Sequence, residues 1–327
     1  MNVVVAGAGG FIGGYLVNSL ISKGCSVTAL DIKKFDQWCQ INSQAKNIKA
    51  DMRLRENWFT FLKGVDRIYN LACNMGGMGF IQNNHSLCME SVLIQSHCLI
   101  AAKELGVKQV LYSSSACVYP LELQSNIKTA QSQALKESDA IPANPEDGYG
   151  WEKLFSEIMT QYFAQDFFLD VRICRYHNVY GPYGAFSGGR EKAPAALCRK
   201  IAEASIFNKN KIEIWGDGNQ TRSFMYIDDC ITGMDLIWQQ GFTKPLNLGS
   251  SEMVSINQLV DIIESIEGKK FKRVYRMDCP QGVRGRNSDN SLVKKVLNWE
   301  PSTSLRDGIK ATYDWIKGEI LKQNAVN

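Results

Sequence analysis

The sequence predicts an α/β protein: a doubly wound parallel sheet with a smaller C-terminal substrate-binding lobe. Three observations carry this. A short apolar run, Val3-Val4-Val5-Ala6, leads directly into a glycine-rich turn and an amphipathic segment. Apolar strand-like runs then alternate with helix-like segments as far as about residue 185, the pattern of repeated βαβ units. Beyond that point the alternation loosens into short strands, turns and helices. The predicted division is therefore 1–185 for a nucleotide-binding domain and 186–327 for a substrate domain, with some exchange of strands and helices between them.

The elements follow in order. Residues 3–6 read as a strand buried on both faces, because no polar residue interrupts them. A helix follows through about Ser22. "CSVTALD" is a second strand ending at Asp31, and "NIKAD" a third, short one. "VDRIYNLAC" is the next, closing near Cys73. "SVLIQSHCLIAAKELG" carries apolar residues at helical spacing and stops at glycine. "KQVLYSSS" is a strand. "GYGWEKLFSEIMTQYFAQDF" is a long helix, and "LDVRICRYHNVYGP" a strand running into a loop.

Composition narrows the function. The chain has 327 residues, 45% of them hydrophobic and 21% charged, with a net charge of +4. That charge, without a long basic run, argues against nucleic acid as a partner. No apolar stretch reaches the ~20 residues that span a bilayer, and the N-terminus has no basic stretch before its apolar run, so a cytoplasmic location is expected. The 10 cysteines are scattered singly. Neither a zinc site nor a disulfide framework is expected, and no metal.

Gly7-x-Gly9-Gly10-x-x-Gly13 lies between strand and helix, where a pyrophosphate loop must lie. Glycines allow the tight turn and close approach, and the helix start, with Phe11 and Ile12, offers unpaired N–H groups to phosphate. Asp31 ends the second strand, placed for both ribose hydroxyls, and an acid there disfavours a 2′-phosphate. This is the pattern of a Rossmann domain that binds NAD. Asp51 and Met52, after the third strand, are placed for the adenine, and Leu71 for the cofactor.

Tyr149 and Lys153 stand four apart at a helix start and share one face. A lysine ammonium favours the phenolate beside it. Such a tyrosine exchanges a proton with a sugar hydroxyl while a nicotinamide exchanges hydride. With Ser115 at the strand end, the trio resembles the catalytic signature of the short-chain dehydrogenases/reductases. The length and second lobe resemble the extended branch, which acts on nucleotide sugars. Its 4,6-dehydratases carry an acidic pair before Val-Tyr; here Ala116-Cys117 stands in that place. A thiol suits proton abstraction beside a carbonyl. Lys192 in "GGREKAP" (188–194) is the candidate partner on the opposite face.

"NMGGMGFIQNNHS" (74–86), "SSACVYP" (114–120), "GGREKAP", "WGDGNQTRSF" (215–224) and "GVRGRNSDN" (282–290) are similar to the GDP-mannose 3,5-epimerase family, essentially end to end. Departures lie around residues 33–48 and in "ASIFNKNKIEI". The resemblance implies oxidation of the sugar to a 4-ketone with bound NAD, inversion at carbons 5 and 3 by Cys117 and Lys192, and return of the hydride. It also implies a GDP-sugar substrate with contacts from Gly76, Gly77, Met78, Ser114, Ser115, Ala116, Asn178, Glu191, Lys192, Ala193, Lys200, Gln220, Arg222 and Arg286. A homodimer paired through helices 86–105 and 149–165 is implied as well; Leu93, Ile94, Leu99, Ile100, Leu154, Phe155 and Ile158 would be buried either there or in the chain's own core. Another nucleotide-sugar epimerase or dehydratase on the same scaffold is the alternative.

Overall fold

The computed structural model describes residues 1–125 and 134–325. The principal elements are β1 (Asn2–Ala6), α1 (Phe11–Ser22), β2 (Ser26–Asp31), β3 (Lys46–Lys49), α2 (Arg55–Phe61), β4 (Arg67–Asn70), α3 (Ser91–Leu105), β5 (Gln109–Ser115), α4 (Gly148–Phe167), β6 (Asp170–Tyr176), α5 (Ala193–Ile206), β7 (Lys211–Trp215), β8 (Thr221–Ser223), α6 (Ile227–Gln240), β9 (Pro245–Leu248), α7 (Ile256–Glu267), β10 (Lys272–Arg276), α8 (Ser291–Leu297) and α9 (Leu305–Ala325).

Seven strands form one sheet in the order β9-β6-β5-β4-β1-β2-β3, and every pairing is parallel. The order reverses between β1 and β4, so their C-terminal ends open a crevice for a ligand. Helices cover both faces. On one side Leu16, Val17 and Leu20 of α1 meet Met234, Ile237 and Trp238 of α6 and Leu297 of α8. On the other, Trp58 of α2 and Ile94, Cys98 and Leu99 of α3 close over Val4, Ile68 and Val110. In β1, Val3–Ala6 is a continuous apolar run because neither face meets water.

The second lobe has its own core, where Leu197, Cys198 and Ile201 of α5 pack with Leu259 and Ile263 of α7 and Ile309, Tyr313 and Ile316 of α9. The chain past residue 186 is not confined to that lobe. β9, α6 and α8 return to the sheet and complete its edge and one of its faces.

Helix α4 carries an unusual burden. Asp147 caps its start by accepting the Gly150 N–H at 3.0 Å. Its inner face is polar. Glu157, fully buried, takes the Arg175 guanidinium of β6 through both oxygens (Nη2–Oε2 2.7 Å) and also accepts the Ser114 hydroxyl of β5. Arg175 further donates to the Glu137 carbonyl at 2.8 Å. On the two helices expected to pair chains, Ile94, Leu99 and Leu154 are buried within this chain. Leu93, Phe155 and Ile158 are exposed, and Ile100 is half-buried.

Removing one partner of a buried pair strands the other charge. Glu157→Ala is expected to lower unfolding stability by about 3–5 kcal/mol, read from urea denaturation. A loss within error would contradict the clamp.

Candidate active site

The nucleotide end fits its cofactor. Gly7 has φ +84°, and a Cβ there would lie 2.7 Å from the Leu71 carbonyl carbon and the Ala72 nitrogen. At Gly13 a Cβ would stand 2.1 Å from the Gly7 oxygen. Only glycine lets the turn lie this close to β4 and start α1 at once. Gly10 caps α1 without a side chain, so the first N–H groups, beside the half-buried Phe11 and Ile12, remain available to phosphate. Asp31 is buried at the end of β2, where its carboxylate accepts from the Gly9 and Lys33 N–H groups, both at 3.0 Å. The acid is thereby fixed at the mouth of the turn. Asp51 is engaged by Arg53 (2.8 Å), whose hydrogen bond holds its carboxyl below the usual range. Met52 is buried and its carbonyl accepts the Trp58 indole N–H.

The chemical centre lies where β5 ends against the start of α4. Tyr149 is 5% exposed. Burial, then the neighbouring sulfurs of Cys73 and Cys117, push its phenol well above the ordinary value, while a hydrogen bond with Ser115 pulls it down. Ser115 Oγ also accepts the Cys117 N–H at 3.2 Å and fixes the turn that carries the thiol. Lys153 is 1% exposed, its ammonium 4.9 Å from the Tyr112 ring and 5.6 Å from that of Tyr149. A phenol raised this far needs that cation to act as an acid–base group.

Cys117 sits among Ile81, Cys88 and Tyr149, yet its sulfur is not sealed in hydrocarbon. Arg286 Nη1 lies 3.2 Å from it. Lys192, half-buried at the start of α5, is pulled below its ordinary pKa by burial, against the upward pull of Cys117 and then Cys73. The Lys192 ammonium thus lies within electrostatic reach of the Cys117 sulfur. The loop bearing Lys192 is tied to the loop at 76–78: Gly77 N–H donates to the Arg190 carbonyl at 3.1 Å, and a Cβ on Gly77 would stand 2.4 Å from the Glu191 oxygen. Arg190 itself lies over the Phe80 ring at 3.9 Å and bonds the Met75 carbonyl.

The side chains expected to contact substrate have the following partners within the chain. The Ser114 side chain points to Glu157, on the face of β5 opposite Ser115, because strand neighbours alternate. Glu191 folds back to the Gly189 N–H and faces Arg199. Lys200 bonds the Glu213 carbonyl over the Trp215 ring. Arg286 is spread over Gln124, Cys117 and Glu146, which puts it at the thiol. Arg222 fits an anion better. Its donors reach only the carbonyls of Thr221, Gln281 and Val283, and burial, then Arg286, push it down to about 9. Gln220 is buried beside it with Oε1 unpartnered. Asn178, with φ 44°, bonds the Ser223 carbonyl across the lobes. Met78 borders Gly282, and Ala116 and Ala193 flank Cys117 and Lys192. Sequence reasoning missed Glu152, a carboxylate 1% exposed beside Lys153, and the thiol-directed position of Arg286. A charge three residues after Tyr149, on the face that must be buried, was the signal for the first.

A dinucleotide cradle beside a Ser-Tyr-Lys centre defines a nicotinamide-dependent enzyme acting on an alcohol of its substrate. The comparisons narrow the class: residues 3–249 match the NAD dependent epimerase/dehydratase family, and the chain belongs to it. Its cofactor is NAD. The chain is 44% identical over 326 residues to GDP-mannose 3,5-epimerase 1 of Oryza sativa subsp. japonica, covering 99% of this chain and 83% of the relative. It is 43% identical to GDP-mannose 3,5-epimerase of Arabidopsis thaliana, covering 99% and 84%. Among solved structures, UDP-glucuronic acid 4-epimerase from Bacillus cereus, in complex with UDP-glucuronic acid and NAD, superposes with a TM-score of 0.81 at 27% identity, covering 98% of this chain and 100% of that one. Among the described residues no cluster of His, Cys, Asp and Glu could hold a metal ion, and no helix is long and apolar enough to cross a membrane.

Gly13→Ala is expected to abolish retention of NAD while leaving the fold intact, read from the absorbance of small molecules released on denaturation and from circular dichroism. NAD retained at the wild-type level would contradict the cradle.

Proposed function

We propose that the chain epimerises GDP-mannose at carbons 3 and 5, giving GDP-L-galactose, and GDP-L-gulose when carbon 5 alone is inverted. The observation that carries this reading is that Cys117 stands beside Tyr149 in one buried cluster and acts electrostatically on the Lys192 ammonium. Relatives 43–44% identical bear the same activity in their names.

NAD, when bound, takes hydride from carbon 4 and later gives it back, so no net oxidation occurs. Ser115 orients the sugar's 4-hydroxyl and Tyr149 takes its proton, with Lys153 favouring the phenolate. The ketone so formed acidifies the C–H bonds at carbons 5 and 3. One of Cys117 and Lys192 removes the proton, leaving an enolate, and the other delivers a proton to the opposite face. Arg286 holds its guanidinium 3.2 Å from the sulfur. Burial lowers Lys192, so its free base is available nearer neutrality than for an exposed lysine. Tyr149 then returns its proton to oxygen 4.

Arg222 and Gln220 are assigned to the nucleotide diphosphate: Arg222 has no carboxylate partner among the described residues, and Gln220 has a free buried oxygen. Gly76, Gly77 and Met78 cover the sugar, with Asn178 at its edge. A 4-epimerase reading leaves Cys117 and Lys192 without work, and a 4,6-dehydratase lacks its acidic pair. The enzyme is assigned to the cytoplasm, where a reducing medium suits its free cysteines. It is assigned as a homodimer through the exposed Leu93, Phe155, Ile158 and Tyr162.

With GDP-mannose in deuterated water, label is expected at carbons 5 and 3. Cys117→Ala should abolish turnover, by at least about 10²-fold, while nucleotide sugar still binds. Label at neither carbon, or an unchanged rate, overturns the reading. Phe155→Asp should convert a dimer to a monomer in analytical ultracentrifugation. A wild-type chain that is already monomeric rejects the assembly.

A further inference from the structure

Lys153 presents a problem of its own. An ammonium 1% exposed loses the hydration that keeps lysine charged, and a buried lysine without a counter-ion titrates near or below neutrality. Tyr149 needs that charge, because its phenol is raised by burial. Something buried must hold the proton on Lys153.

Two groups approach the ammonium. Cys73, in the segment after β4, lies beside it, but burial pushes that thiol above its ordinary value, so at neutrality it supplies a dipole rather than a charge. The other is Glu152, the next residue on α4. Its carboxylate is held from one side only. Oε1 accepts the Tyr112 hydroxyl at 3.0 Å and the Ser156 hydroxyl at 3.1 Å. Oε2 has no hydrogen-bond partner and stands 3.6 Å from Lys153 Nζ. Two hydroxyls on different elements, β5 and the next turn of α4, fix the carboxylate so that its free oxygen faces the lysine. A buried carboxylate oxygen left without a hydrogen bond is costly unless a cation compensates it.

We infer that Glu152 is a positioning residue of the reaction: its fixed carboxylate keeps Lys153 protonated and turned toward Tyr149 in a site too dry for lysine to stay charged alone. Burial pulls Lys153 down while Cys73 and Glu152 pull it up, and the upward pull prevails. Tyr112, whose ring carries the ammonium, is the third member of the seat. The inference rests on the roles given above to Tyr149 and Lys153, and it adds a chain of command: Tyr112 and Ser156 hold Glu152, Glu152 holds Lys153, and Lys153 sets Tyr149.

The test is Glu152→Gln, which keeps the shape and an oxygen for the two hydroxyls but removes the charge. Without the anion, burial acts on Lys153 with less opposition, so its proton leaves at lower pH. Tyr149, facing Cys73, Cys117 and Glu152, loses one negative neighbour and moves the same way. The kcat profile is therefore displaced to lower pH by about one unit. At pH 10 the variant is about five-fold slower than wild type, and at pH 6 within about three-fold, with KM little changed. Independently of turnover, the Lys153 Nζ resonance of ¹⁵N-lysine-labelled protein titrates at lower pH in the variant. A uniform loss of rate with an undisplaced profile, or an unmoved Lys153 titration, overturns the inference. Should the variant not fold, titration of wild-type Lys153 decides: a midpoint at or above about 10 supports it, and one below about 8 refutes it. Tyr149→Phe separates the two readings. Substantial turnover in that variant would sink the roles of Tyr149 and Lys153 themselves, whereas an unmoved profile in Glu152→Gln sinks only this inference.

Discussion

The ion pair between Glu157 of α4 and Arg175 of β6 is the constraint on which the rest depends. It is buried, doubly hydrogen-bonded and tied to β5 through Ser114. Apolar packing alone would let a helix slide or roll on a sheet at little cost, since dispersion has no direction. A fork of guanidinium on carboxylate has one geometry. It fixes how deep α4 sits and how it is turned, and thereby where Tyr149 and Lys153, about two turns and one turn earlier, meet the end of β5. A buried pair of this kind adds little net stability over a well-packed apolar one; what it supplies is register.

The same logic divides labour between the lobes. The sheet and its helices fix everything that must not move: the glycine turn, Asp31, the Ser-Tyr-Lys centre and the thiol. The second lobe contributes the groups proposed to meet the sugar from outside, Lys192 at a helix start and Arg222 on β8 among them. Arg286 and Asn178 reach across. Arg286 bonds Gln124 and touches Cys117 on the first lobe's side, and Asn178 bonds Ser223 on the second's. The two sets of groups are thus registered by bonds that span the crevice.

Most of this frame was legible in the residues. The fold follows from alternation and the glycine turn, and α4 was legible over its whole length, 148–167. The centre follows from the four-residue spacing of Tyr149 and Lys153, which is a property of any helix. Substrate contacts were legible only as a set, through the resemblance. Chemistry can say that an arginine suits phosphate, but which sulfur, carbonyl or carboxylate it meets depends on a fold that joins residues more than a hundred positions apart, as with Arg286 and Cys117. The direction of Ser114 could have been read from strand alternation, because Ser115 cannot face the pocket unless Ser114 faces away. Glu152 was legible only through its spacing, a charge three residues after Tyr149 on the helix face that is buried.

Strand β9 lies at the edge of the main sheet, beside β6, although it is drawn from the last third of the sequence. During synthesis the growing chain emerges with β6 as an open edge, its row of N–H and C=O groups unpaired until Leu248 has left the ribosome. An edge of that kind invites pairing with another chain. The protein therefore commits late: a chain that carries β6 but stops short of β9 leaves that edge open to such pairing.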